Sequence, residues 1–256
     1  SLVGSEMCIR DRGMEEADIL PKIVATTTQI DSMDYRAIES VPTDADKELV
    51  RVAEGAVIPE TTVRTKEKLT QLHKRGRMLV ASYEAIKFQK LDLFTVTLKQ
   101  IGAYIARCQM KDAIDVLCGD GIEEVVAEAS DLTYSDLVKF WNAFSPYSMT
   151  TLLVNPKEMT TILTMPEMKD AAAGNAFHGN GKMITPLGAE LLKSDDCDTG
   201  LVIGLDNSCA LEKVQAGDIT TDFDKLIDRQ LERAAITTIA GFSKIFDGAS
   251  KALTLG

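Results

Sequence analysis

Two histidines, five cysteines and a few glycine-rich turns are what this chain offers for chemistry. A phosphate-cradling loop needs Gly, four residues, then Gly-Lys-Ser/Thr, so that backbone N–H groups and a hydroxyl reach the phosphates and their metal. Gly181-Lys182 comes near, but Met183 follows it and Ala176 stands where the first glycine belongs. Gly119-Asp120-Gly121 opens like a dinucleotide fingerprint, but Glu124 occupies the third glycine position and the stretch follows a helical pattern, so a helix stop is the better reading. No G-x-S-x-G elbow is present. His73 sits among Lys74, Arg75 and Arg77, and His178 lies in a Gly-rich loop, which leaves little scope for an acid/base pair. Asp195, Asp196 and Asp198 can be drawn as a hard-cation cluster, but three acids on a polar turn are more often solvent-facing. Cys8, Cys108, Cys118, Cys197 and Cys209 make no CxxC pair and no metal spacing with the histidines. Scattered thiols of this kind point to synthesis in a reducing cytoplasm. No catalytic residue, cofactor-binding residue or metal ligand is therefore expected. The one basic cluster, His73 to Arg77, has no interleaved aromatics and reads as a contact for an acidic neighbouring subunit rather than for nucleic acid.

The elements that would have to carry any site are those of an ordinary globular chain. Its 256 residues suffice for one large domain or two small ones. Hydrophobic residues make up 45%, charged residues 26% and aromatic residues 5%, so the core must rest on Leu, Ile, Val, Ala and Met. The net charge of −11 disfavours a broad grip on nucleic acid, which needs clustered Lys and Arg. It suits a container wall that does not stick to its contents, and solubility alone explains it equally well. No run approaches the ~18 apolar residues of a membrane span.

Residues 1–12, SLVGSEMCIRDR, resemble translated sequencing-adapter read-through rather than a signal peptide. They are expected to contribute no structure, which makes Cys8 irrelevant and puts the start of genuine sequence near Gly13 or Met14. Pro21 and the run Thr26-Thr27-Thr28 make residues 14–34 an arm rather than a helix. Residues 35–82 alternate short β-prone pieces with charges, as a long two-stranded excursion with little core of its own would. Such a hairpin needs a neighbour to lie on. The strongest periodicity lies at 92–118, where Phe94, Leu98, Ile101, Ile105 and Cys108 follow four-three-four-three spacing, widened by Leu93, Val96 and Tyr104. With Asp92 as N-cap and Gly119 as stop, this helix spans about 40 Å. Further along, Tyr134–Phe144 reads as a helix starting near Ser130 or Thr133. Thr151–Val154 reads as a strand ending at Asn155-Pro156, and Met159–Met165 as a short helix. Leu201–Leu205 and Ala210–Val214 read as extended. The pattern of 222–240 fits helix and strand alike.

Several strings in this order resemble the tailed-phage major capsid proteins, whose fold is shared with the encapsulins. They are VAEGAVIPE (52–60), KRGRMLVASYE (74–84), the helix ending in LCGDG (117–121), LLVNPKEM (152–159), ITPLGAELL (184–192), LVIGLDNSCALEKV (201–214) and DFDKLIDRQLERAAITTIAGFSKI (222–245). The resemblance implies an α+β capsid fold. Its parts would be an N-terminal arm at 13–34, an extended β-hairpin loop at 35–80, a peripheral domain with a long spine helix at 81–120 and 219–256, and a mainly axial domain at 121–218. It further implies a non-enzymatic shell subunit found in the virion. That subunit would form pentamers and hexamers around double-stranded DNA without sequence-specific binding, have scaffold and portal proteins as companions, and make no membrane contact. A linking Lys–Asn pair with its catalytic acid, which joins subunits in some relatives, is not matched here. The same fold also serves an encapsulin-like compartment around a cargo enzyme. A stand-alone enzyme using the acids at 195–198 is the remaining alternative.

Overall fold

The computed structural model describes residues 19–32, 35–36, 38–39, 51, 64–65, 69–84, 92–119, 121–127, 132–169 and 183–255. Residues 1–12, the segment 171–182 with His178 and Gly181-Lys182, and most of the expected loop between 40 and 63 lie outside them.

Two five-stranded sheets and one long helix organise the chain. The centre of the first sheet is β11 (Leu231–Lys244). Along one side runs β4 (Leu72–Ser82), paired from Leu231↔Ser82 to Gly241↔Leu72. Along the other side lie, end to end, β10 (Thr220–Leu226) and β9 (Leu211–Ala216), both antiparallel to β11. Gly217, at φ 71°, takes the kink between them, a left-handed conformation that glycine adopts without a Cβ penalty. The arm enters this sheet as well, because β1 (Thr26–Ile30) pairs in parallel with β9. Thr28 Oγ1 and Tyr35 Oη both donate to the buried Glu212 carboxylate, which fixes the arm in place. A two-residue ladder, β2 (Ile38–Glu39) with β3 (Arg64–Thr65), marks the base of the excursion.

The second sheet has the order β5 (Glu123–Val126), β12 (Ser250–Thr254), β8 (Leu201–Leu205), β6 (Thr151–Val154), β7 (Glu190–Lys193). Strand β6 is buried on both faces because both carry cores. On one face Leu152, Val154 and Val202 meet Leu137, Phe140 and Phe144 of α2 (Tyr134–Asn142) and its exit, with Met159 and Ile162 of α3 (Pro156–Thr164). On the other face Leu153, Ile203 and Leu205 meet Met110, Ile114 and Leu117 of α1 (Asp92–Leu117), with Leu211 and Phe242 of the first sheet. Local rules set the helix starts. Thr133 and Asp136 form a reciprocal capping box ahead of α2, and the Asn155 side chain accepts from Lys157 N with Pro156 in the first turn of α3. Gly204 is required on β8: a Cβ there would lie 2.7 Å from Phe140 and 2.8 Å from Phe144, whose rings meet edge to face.

Four expectations change. Strand β4 extends through residues 72–82, so the portion of the excursion after residue 71 belongs to the first sheet rather than to a projecting loop. Strand β12 lies in the second sheet and β9 in the first, so neither boundary near 218 separates the sheets. Helix α1 buries Ile101 and Ile105 as expected, but Cys108, Tyr104 and Val96 are exposed. Its apolar face rotates along its length. Its middle packs Ile101 and Ile105 against Ile236 and Leu79 on the first sheet, while its last two turns enter the core between the sheets. Finally, α1 ends ahead of Gly119, but the left-handed residue is Gly121, at φ 91°. Residues 222–240 are strand, forming most of the β10–β11 hairpin.

Candidate functional site

The residues best suited to chemistry are dispersed. His73 and Arg75 on β4 both reach Asp112 on α1. Arg75 donates from Nη2 to Oδ1 at 2.5 Å and from Nε to Oδ2 at 3.3 Å, and the exposed His73 ring lies 3.3 Å away. This ties helix to sheet and uses Asp112 as a structural acceptor. Asp195, Asp196 and Asp198 are exposed on the turn between β7 and β8. Among the described residues no group of three acids, histidines or cysteines has metal-binding geometry. Two thiols are held protonated: burial pushes Cys118 up to about 11 and Cys197 up to about 12. Both behave as small apolar side chains rather than nucleophiles.

Two buried carboxylates illustrate the same economy. The Glu158 Oε1 atom accepts from Gly200 N at 2.9 Å, joining α3 to the turn before β8. Burial of Asp206 works against its ionisation. Donors from Ser208 and from the backbone N–H of Ser148 outweigh that and hold the carboxyl below its ordinary value. Asp206 therefore binds the β8–β9 turn to the entry of β6. A groove of about 430 Å³ lies beside Trp141, Ser145, Pro146, Tyr147 and Leu187. Among the described residues Tyr147 is the one titratable side chain in its wall.

What the structure does present is surface that a monomer leaves wet. In the first sheet alternate residues point away from α1, and Met78 and Val80 on β4 are about half exposed. Phe223 on β10 is 49% exposed, and Ile227, at the tip of the β10–β11 hairpin, is 81% exposed. Exposed apolar groups thus occur on both faces of this sheet: Met78 and Val80 point away from α1, while Phe223, opposite Ala234, shares the face of Leu79.

A sequence model described as "Phage capsid protein" matches residues 65–214, which include the whole of α1, β4 of the first sheet and β5, β6, β7 and β8 of the second. The chain belongs to the phage capsid protein family. No curated protein matches it in sequence. Solved structures agree on the fold. A virus-like particle from Pyrococcus furiosus matches over 99% of both chains at TM-score 0.65 and 15% identity. The capsid of a native GTA particle matches over 94% of this chain and 90% of its own, at TM-score 0.70 and 15% identity. The holo-SrpI encapsulin of Synechococcus elongatus matches over 90% and 84%, at TM-score 0.62 and 12% identity. At these identities the likeness is one of fold. The phage capsid protein is thus a structural shell protein, and the features that matter are its surfaces.

Sequence reasoning found the basic cluster on β4 but missed its partner on α1. Asp112 lies near one end of the helix and carries no motif linking it to residue 75. Phe223 was also missed, because a helix–strand ambiguity over 222–240 hides which residues share a face.

Proposed function

We propose that this phage capsid protein is the major shell subunit, assembling as pentamers and hexamers into a closed icosahedral-type particle around double-stranded DNA. The supporting observation is that one family's sequence model and whole-chain structural matches run through both sheets, with the apolar surface of the first sheet left uncovered. In this reading the first sheet and α1 form the peripheral domain, the second sheet with α2 and α3 forms the axial domain, and residues around β2 and β3 start the extended loop. The subunit performs no catalytic step. Its assembly energy comes from many weak contacts repeated by symmetry. With a net charge of −11, the wall holds the genome by enclosure rather than by ionic grip. Scaffold and portal proteins are the expected companions, the host cytoplasm the site of synthesis, and the virion the destination. The test is to express residues 14–256, image the product by electron microscopy and assay the particles for nucleic acid. Closed shells or capsomers support the reading. A stable monomer at high concentration overturns it.

The encapsulin likeness supports a second reading, a compartment around a cargo enzyme. Native particles separate the two: a genome inside supports the capsid, an enzyme inside the compartment.

A further inference from the structure

The hairpin of β10 and β11 ends in the turn Ile227 to Gln230, beyond the last cross-strand pair Leu226↔Leu231. This turn is fixed in place. Arg229 N donates to Leu226 O at 3.2 Å, and Tyr83 N, just past the end of β4, donates to Gln230 O at 2.9 Å. On the fixed tip stands Ile227, and among the described residues no large apolar side chain is more exposed. Leu226 and Leu231, at the end of the two strands, are partly exposed as well. The next charges down the hairpin are paired across the strands, Lys225 with Glu232 at 2.8 Å and Arg233 with Asp224 at 2.5 Å. The charges at the tip are held loosely: Asp228 and Arg229 meet at 3.8 Å, with side chains 74% and 72% exposed. The tip therefore presents an apolar centre beside one acid and one base that water alone keeps apart from better partners.

We propose that this tip is a contact between copies of the chain, the tip of one subunit meeting the same tip of its neighbour. Charge complementarity carries the choice of partner. A purely acidic or purely basic partner would satisfy only one of Asp228 and Arg229. A second copy satisfies both, because Arg229 of each copy takes the neighbour's Asp228. In a closed cyclic arrangement every tip then gives one cation and receives one, and no charge is left over. Ile227 fills the centre and the charges form the rim, the usual division of an interface. With water excluded by the isoleucines, the exchanged pairs are stronger than the exposed pair of the free subunit. A hairpin tip is too small to bury the roughly 1,200 Å² of a stand-alone complex, so the contact acts by repetition over many copies. It rests on the shell-forming role of the subunit and specifies one of its contacts.

The test uses the full chain as wild type, Asp228→Arg, Arg229→Asp and the double variant, followed by sedimentation velocity and electron microscopy. Thermal melts are the folding control, and they should not change, because all three tip side chains are exposed. Each single reversal gives every tip two like charges and is expected to weaken association about tenfold. The double variant, which keeps one acid and one base, restores it. In a Cys108→Ser background, Ile227→Cys is expected to give an intermolecular 227–227 disulfide when assembled particles are oxidised in air over a copper catalyst, identified by peptide mapping. If both single variants assemble like wild type, if the double variant is no better than the singles, or if the particles give no 227–227 cross-link, this contact is wrong and the shell role stands. If the wild type itself never assembles, the shell reading and this contact fall together.

Discussion

Gly204→Ala tests how the second sheet is packed. The added methyl would sit 2.7 Å from Phe140 Cε1 and 2.8 Å from Phe144 Cζ. Neither ring can move aside freely, because Phe140 is 0% and Phe144 1% exposed, and both are locked among Leu137, Leu152 and Val202. Overpacking a filled core by one methyl costs typically about 1–3 kcal/mol. Gly204 has an ordinary strand conformation, so the smaller entropy of the unfolded variant offsets about 0.4–1 kcal/mol of this. A net loss of about 2 kcal/mol corresponds to a fall of about 4–8 °C in Tm for a chain of this size. Differential scanning calorimetry on the soluble subunit measures it. The double variant with Phe140→Leu should lose less than the sum of the two single losses, since the smaller side chain vacates the contested space. A Gly204→Ala melt within about 1 °C of wild type, or strictly additive losses, would refute the argument that α2 rests on a bare strand position.

Three further outcomes are expected. Ile101→Asp places a carboxylate in the Ile105–Ile236–Leu79 cluster and should cost several kcal/mol, enough to abolish a cooperative melt; a soluble, cooperatively folding variant would show that this face of α1 is not buried. Asp206 has a depressed folded pKa, so its stabilisation is present above the ordinary carboxylate value of about 3.9 and is lost as pH falls through the folded value. Asp206→Asn should be less stable than wild type at pH 7, with the gap narrowing in urea titrations taken progressively below pH 4. Alkylation of the native subunit at pH 8 should label the exposed Cys108 well before Cys118 and Cys197, and mass mapping that finds Cys197 modified as early as Cys108 would contradict its burial.

Much of the second sheet was legible in the sequence because its signals are local. Thr151–Val154 ends at an Asn-Pro capping pair, Leu201–Leu205 is a short apolar run, and Thr133 stands at a helix entrance. The first sheet was harder to read. Strand β4 shows α1 one buried-side residue, Leu79, among charges, so its alternation looks like solvated loop. Strand β11 buries Ala234, Ile236, Thr238 and Ala240 at period two, but the Leu, Glu, Arg and Ala residues at its start have good helix propensity. Cross-strand partners 149 to 169 residues apart settle the matter, from Ser82↔Leu231 to Leu72↔Gly241, and no local window contains them. The drift of the buried face of α1 is non-local for the same reason: two different surfaces receive one helix. The basic cluster at 73–77 was visible as chemistry in need of a partner. Part of that partner, Asp112, proved to lie within the same subunit.

The position of β12 bears on how a subunit is made. It lies between β5 and β8, joining a strand from the first half of the chain to one from the second, yet all other described strands precede it in the sequence. A ribosome therefore finishes every other described strand before the one that holds β5 in place. Until Ser250–Thr254 emerges, β5 has no pairing strand and β8 one open edge among the described residues. The second sheet closes only after every other described strand has been synthesised. A chain terminated before Ser250 has every strand of the first sheet but lacks the strand that joins β5 to β8 in the second.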